Sequence, residues 1–198
     1  MSVRGGIFDD ASNFEHRLVG SYEELAQRVE NFKALNVKVV LTSGSFDMIH
    51  EGHARYLEKA KSHGDLLIVG VDSDDKIKKR KGPDRPVVPE VERLTMLTFL
   101  RSVDLVVSKP LNEEKWALIK AVLPDVLVAT AETYTTEEVV RLGEFCGKVV
   151  VLEPMATTTT SARLRTLQMN LKQRFSDTLM EQMPAMLDKL LGEGEAHE

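Results

Sequence analysis

A single cysteine, Cys146, is all that 198 residues contain, so no disulfide can form within the chain and a reducing compartment suits it. Long apolar runs are missing as well. None approaches the ~20 residues a membrane-spanning helix needs, and the N-terminus carries Asp9 and Asp10 where a secretory leader has its apolar core. Positive charge is not in excess: 26 Lys and Arg against 31 Asp and Glu give a net charge of −5, which disfavours nucleic acid or an anionic membrane as partner. Aromatics are only 6% of the chain and are not interleaved with its basic residues, as a base-stacking surface requires. These absences leave a cytoplasmic enzyme as the expectation, with no nucleic acid and no membrane among its partners.

The remainder is ordinary for a globular protein, with 42% hydrophobic and 29% charged residues, enough for one well-buried domain. Short Val- and Leu-rich runs at 37–42, 66–71, 103–107, 125–129 and 148–152 read as strands covered on both faces. Helical patterns separate them near 53–62, 90–100, 113–122 and 136–146, and Tyr22, Leu25, Val29 and Phe32 mark a leading helix. Such alternation predicts an α/β fold, a doubly wound, five-stranded parallel sheet with ligand at the carboxyl ends of its strands. The expected divisions are an arm over 1–18, a domain over 19–166 and a C-terminal helical extension with its tail over 167–198. From the end of the domain into the extension, Leu164, Leu167, Leu171, Phe175 and Leu179 form an apolar stripe that is expected to stop near Pro184. Something must cover that stripe, and a homodimer is the expectation.

The richest segment runs from Gly44 to His53, Gly-Ser-Phe-Asp-Met-Ile-His-Glu-Gly-His, between the first strand and a helix. A helix N-terminus presents unpaired N–H groups and a partial positive charge, so this loop reads as a phosphate site. Gly44 and Gly52 let the backbone approach a ligand, and His50 and His53 supply donors. Two rival readings exist: a metal pair, or histidines satisfied by ordinary hydrogen bonds. Zinc-protease histidines stand four apart on one helix face; here the spacing is three, with Gly52 between and no third ligand evident.

Two further segments carry charge or hydroxyls. Lys76, Lys78, Lys79, Arg80, Lys81 and Arg85 crowd together, either as a solvated helical face or, where Gly82, Pro83 and Pro86 break the helix, as loop cations within reach of a polyphosphate; that places Lys81 and Arg85 in a loop. Arg93, on a predicted helix, is free to pair with Glu90 or Glu92 at the surface for a few tenths of a kcal/mol. Thr157 to Ser161 precede the last helix, where hydroxyls serve equally as N-caps or as ligand contacts.

The Gly44–His53 order resembles the nucleotidyltransferase superfamily that includes cytidylyltransferases and ADP-heptose synthase, whose fold is Rossmann-like. Lys81-Gly-Pro-Asp-Arg-Pro-Val87 with Glu92-Arg93 resembles the adenylyltransferase domain of bacterial ADP-heptose synthase most closely, and similarity runs from about Tyr22 to Leu167. The resemblance implies catalytic roles for His50, His53 and Lys81. It implies nucleotide contacts from Ser43, Gly44, Ser45, Phe46, Asp47, Gly52, Arg85, Thr159, Thr160, Ser161 and Arg163. A substrate or base loop falls on Ala129, Glu132 and Tyr134, where the family's Lys-Gly-Gly-Asp-Tyr is replaced by Ala-Thr-Ala-Glu-Thr-Tyr. Asp47 either orients its loop or approaches Mg²⁺ through water. The implied reaction is transfer of a nucleotidyl group from ATP to a sugar 1-phosphate such as heptose 1-phosphate, with Mg²⁺ as cofactor. The alternatives are a CTP-dependent enzyme acting on glycerol phosphate or a phosphorylated amino alcohol, and a nucleotide-binding sensor without turnover. Glu153-Pro-Met-Ala156 stands where cytidylyltransferases carry Arg-Thr-x-Gly, which argues against CTP.

Overall fold

A computed structural model describes residues 14–131, 133–153, 155 and 160–192 of the protein. The chain divides into two compact units, Met1–Thr157 and Thr158–Glu198. In the first unit the strands are β1 (Leu18–Val19), β2 (Val39–Gly44), β3 (Leu66–Asp72), β4 (Leu105–Lys109), β5 (Val126–Thr130) and β6 (Lys148–Leu152). Its helices are α1 (Phe14–Arg17), α2 (Tyr22–Ala34), α3 (Glu51–Lys61), α4 (Asp74–Lys81), α5 (Glu90–Thr98), α6 (Ala117–Val122) and α7 (Thr136–Leu142).

All strand pairs are parallel, in the order β1-β4-β3-β2-β5-β6. The sheet therefore has six strands where the apolar runs predict five. The extra one, β1, pairs Leu18 with Val106 and Val19 with Val107, and a two-residue strand is too short for its alternation to register in sequence. From β2 the chain winds outward through β3 to β4, then returns to lay β5 on the other side of β2. That reversal opens a crevice at the carboxyl ends of β2 and β5, where doubly wound sheets bind ligands.

Period-two alternation sorts the strand residues onto two faces. Val39, Leu41, Leu66, Ile68, Leu105, Val107 and Leu127 pack with α2, α6 and α7 residues such as Leu25, Val29, Leu118 and Leu142. Val40, Leu67, Val69, Val71, Val106, Val126 and Val128 pack with α3 and α5 through Tyr56, Leu57, Leu94 and Leu97. Burial on both faces explains why these strands read as continuous apolar runs.

The second unit contains α8 (Thr160–Gly192), which runs through Pro184 instead of ending there. Proline removes one i→i−4 hydrogen bond, and helix-forming residues on both sides carry the helix across it. Leu167, Leu171, Phe175 and Leu179 of the expected stripe are 47–72% exposed; the Leu164 side chain lies outside the described residues. Among the described residues, no helix is long and apolar enough to cross a membrane.

Candidate active site

The carboxyl end of β2 supplies Ser43 and Gly44, and the loop over 45–50 leads into α3. Gly44 packs tightly, since a Cβ there would lie 3.2 Å from the Phe46 ring and oblige the ring to give by a few tenths of an ångström. Phe46 and Met48 both take left-handed backbone conformations, with φ of 48° and 52°, a strained choice for side chains of this size. Asp47, between them, offsets that strain. Its buried carboxylate accepts hydrogen bonds from Val87 N at 3.0 and 3.1 Å and from Val88 N at 3.0 Å, and pairs with Arg85 at 2.6 Å. The loop over 82–88 is thereby tied to the loop over 45–50. These contacts suit the loop-orienting reading of Asp47, and among the described residues no group of three or more His, Cys, Asp or Glu could hold a metal ion.

His50 is the N-cap of α3, and its Nδ1 accepts from Gly52 N at 3.1 Å, so the proton of the neutral ring sits on Nε2. The His53 ring stacks on it with centroids 4.0 Å apart and meets the Phe46 ring edge-on at 5.6 Å. His53 Nδ1 is buried without a hydrogen-bond partner in the described protein. Burial, then the charges of His50 and Lys81, lower the His53 pKa to about 4, with Asp47 acting the other way. A neutral imidazole with an unused nitrogen at a helix N-terminus suits an anion that arrives with its own charge.

Because the folded state holds the His53 proton less tightly than the unfolded chain, whose ordinary value is 6.5, stability is full above that value and is lost as pH falls toward about 4. Urea unfolding between pH 7 and pH 4.5 is expected to show that decline, and His53→Gln to remove part of it. Superimposable pH profiles would mean that His53 titrates normally.

Lys81 is not in a loop as the sequence suggests. It is the last residue of α4, which Gly82 terminates with φ of 99°. Ser73 caps α4 and its last turn is wholly basic, as the helix dipole favours. Partial burial, then Arg80 and Arg85, hold the Lys81 amine below its ordinary value, while Asp47 and Asp72 oppose them. Lys81 thus lies within electrostatic reach of His53, Asp47 and Asp72 together.

Arg93 departs furthest from expectation. Far from pairing with surface carboxylates, its side chain is 0% exposed. Its guanidinium donates to Val88 O at 3.0 Å, Ser45 O at 2.6 Å, Asp72 O at 2.9 Å and Asp74 Oδ1 at 2.7 Å. One side chain fastens the loop after β2, the end of β3, the start of α4 and the loop before α5.

Ser43, Gly44, Ser45, Phe46, Asp47, His50, Gly52, His53, Lys81 and Arg85 are brought to one end of the sheet. Ala129 is buried in β5, and the Tyr134 hydroxyl faces Ser43, with burial pushing its pKa up to about 12. Glu132 and Thr159 lie outside the described residues. Thr160, Ser161 and Arg163 begin α8 in the second unit, and their side chains are likewise outside. The sequence reading missed Asp72 and Lys109, and named Arg80 only as one of a crowd of basic residues. Asp72 pairs with Arg80 at 2.9 Å, and Arg80 also donates to Ser45 Oγ at 2.6 Å. Counting in twos along β3 and β4 places Asp72 and Lys109 on an inward face, which is the available signal; β4 spans Leu105–Lys109, two residues beyond the apolar run at 103–107.

Residues 41–177 match the model of the cytidylyltransferase-like family. Among curated proteins, the Bifunctional protein HldE of Helicobacter pylori (strain HPAG1) is 40% identical over 141 residues, 71% of this chain and 29% of that protein. The Bifunctional protein HldE of Caulobacter vibrioides (strain ATCC 19089 / CIP 103742 / CB 15) is 48% identical over 135 residues, 66% of this chain and 27% of that protein. The chain therefore spans less than a third of the length of these relatives. Among solved structures, the lipopolysaccharide core biosynthesis protein from Thermoplasma volcanium GSS1 superposes with a TM-score of 0.52 at 26% identity, covering 59% of this chain and 96% of that one. The pantoate-beta-alanine ligase from Francisella tularensis, at 13% identity and a TM-score of 0.54, shares the fold over 73% of this chain and 68% of its own.

Proposed function

The chain belongs to the cytidylyltransferase-like family, and from that membership we propose that it transfers an adenylyl group from ATP to a sugar 1-phosphate, heptose 1-phosphate first, releasing pyrophosphate. The observation that carries the proposal is the stacked His50–His53 pair at the N-terminus of α3, with Lys81 in electrostatic reach. The likeness to HldE proteins and to a lipopolysaccharide core biosynthesis protein supports a sugar phosphate as acceptor.

A phosphate monoester is mostly a dianion at neutral pH, its second pKa being about 6, so it attacks without a general base. An acceptor oxygen forms the new bond to the α-phosphorus of ATP in line with the bridging oxygen toward the β-phosphate. That P–O bond breaks and its electrons leave with pyrophosphate. What the protein supplies is position and positive charge. The α3 N–H groups, His50, His53 and Lys81 face the α-phosphate and the leaving group as charge builds on them. Mg²⁺, the cofactor this reading calls for, would neutralise charge on the triphosphate, and Asp47 is the residue that would approach it through water.

A pyrophosphate-release screen of ATP, CTP, GTP and UTP against heptose, hexose and glycerol phosphates is expected to give its strongest signal for ATP with a sugar 1-phosphate. A site that recognises its ligand by buried hydrogen bonds discriminates by orders of magnitude, so the correct pair stands clear of the rest. CTP-dependent release with an alcohol phosphate would replace this reading with the cytidylyltransferase one, and nucleotide binding without release for any pair would replace it with a sensor.

A further inference from the structure

Ser43, Gly70, Asp72 and Lys109 lie at the carboxyl ends of three adjacent strands, on the face that packs against α6 and α7. Register sets them side by side: Ser43 opposite Gly70, and Asp72 opposite Lys109. The histidines reach the same rim from α3, on the opposite face of the sheet.

Gly70 leaves an open lane across β3. A Cβ there would fall 2.4 Å from Leu118 Cδ2 and 2.8 Å from Lys109 Cδ, so an alanine methyl would have to push both side chains aside. The Lys109 stem passes through this lane and carries its ammonium from β4 over β3 to β2, where it donates to Ser43 Oγ at 3.0 Å. A lysine side chain laid across a neighbouring strand loses rotamer freedom and water, a cost that a mere surface charge does not bear.

The local charge is unbalanced. Asp72 lies 3.5 Å from Lys109, 2.9 Å from Arg80 and 3.9 Å from Lys76, and among the described residues it is the one carboxylate ion-paired to any of the three. Three cations against one ion-paired carboxylate leave two positive charges in excess around the mostly covered Lys109 and Asp72, beside the hydroxyls of Ser43 and Tyr134, with Lys76 and Arg80 at the open margin. Burial lowers the Lys109 amine pKa and Asp72 raises it, so the ammonium is incompletely compensated. A phosphate dianion has the charge and the acceptor oxygens to complete such a site.

We infer that Lys109 is an acceptor-binding residue whose ammonium, delivered to Ser43 across Gly70, takes the phosphate of the incoming sugar phosphate beside the triphosphate held at α3. This rests on the transferase reading above and adds to it the group that selects a phosphorylated acceptor.

In steady-state assays with MgATP and heptose 1-phosphate, Lys109→Met is expected to raise the KM for the acceptor at least tenfold with kcat changed less than threefold. The Kd of a non-hydrolysable ATP analogue, measured by calorimetry, is expected to stay within twofold of the wild type. Gly70→Ala closes the lane without altering charge and is expected to reproduce the acceptor defect, whereas Lys79→Met is expected to have none. Thermal stabilisation of the analogue complex by heptose or hexose 1-phosphates provides a readout without turnover, present in the wild type and absent in Lys109→Met. Unchanged acceptor KM and stabilisation in Lys109→Met would overturn the inference and leave the transferase reading intact. Matching losses of analogue and acceptor binding would overturn it by placing Lys109 at the nucleotide. A wild type that is stabilised by a sugar phosphate but releases no pyrophosphate would sink the transferase reading, with Lys109 then judged on stabilisation alone. No stabilisation of the wild type by any of these phosphates would overturn the inference as well.

Discussion

His53→Ala is expected to lower turnover by about a hundredfold or more and to leave the fold intact. The ring is stacked at 4.0 Å on His50 and keeps a buried nitrogen that nothing in the described protein uses. If the rest of the ring, at the N-terminus of α3 beside Lys81, faces the phosphates, its loss falls mainly on the transition state. Removing one preorganised donor commonly costs on the order of 3 kcal/mol, which is the factor of a hundred. His50→Ala separates the two roles. Its Nδ1 caps α3, so the variant loses about 1 kcal/mol of stability as well as rate. Initial rates at saturating substrate together with urea unfolding make the comparison. Near wild-type rates in both variants would remove the phosphate-site reading, and a rate loss in His53→Ala that merely tracks unfolding would make the ring structural.

The motif was legible because its parts are local. Gly44, His50, Gly52 and His53 lie within one strand-loop-helix unit, where spacing alone fixes which atoms meet. The strand runs were legible for a related reason: helices on both sides bury both faces and leave an unbroken apolar signature, as the fully buried β3 demonstrates. What stayed hidden depends on distant pairings. Asp47 finds its partners at Arg85, Val87 and Val88, and Lys109 reaches Ser43 from sixty-six positions away. No periodicity encodes such distances. The basic segment after β3 misled because Gly82 and the prolines after it announce a loop, while Ser73 caps a full helix that ends on Lys81 itself. Arg93 misled because a lone arginine among glutamates on a helix has the same sequence pattern at the surface as in the interior, and only the four acceptors around it distinguish the two.

Those four acceptors make Arg93 a side chain whose loss is expected to harm the fold severely. Its planar guanidinium points donors in several directions at once, toward the carbonyls of Val88, Ser45 and Asp72 and the carboxylate of Asp74. Arg93→Met retains much of the volume and leaves buried carbonyls without donors, and Asp74 is only partly able to rehydrate at 32% exposure. Breaking a buried ion pair from one side costs about 3–5 kcal/mol, a large share of the roughly 5–15 kcal/mol that holds a domain together. For a chain of this size that is a fall in Tm of roughly 10 °C or more. Arg93→Lys restores the charge but offers donors from a single point, so it recovers only part of the loss. Turnover falls further than stability alone predicts, because the same four bonds anchor Ser45 and Val88 and hence both loops that Asp47 ties together. Calorimetric unfolding of the two variants, paired with rates measured well below their midpoints, tests both halves. An Arg93→Met protein as stable as the wild type would show that the clamp holds nothing, and full activity in a destabilised variant would separate the clamp from the site.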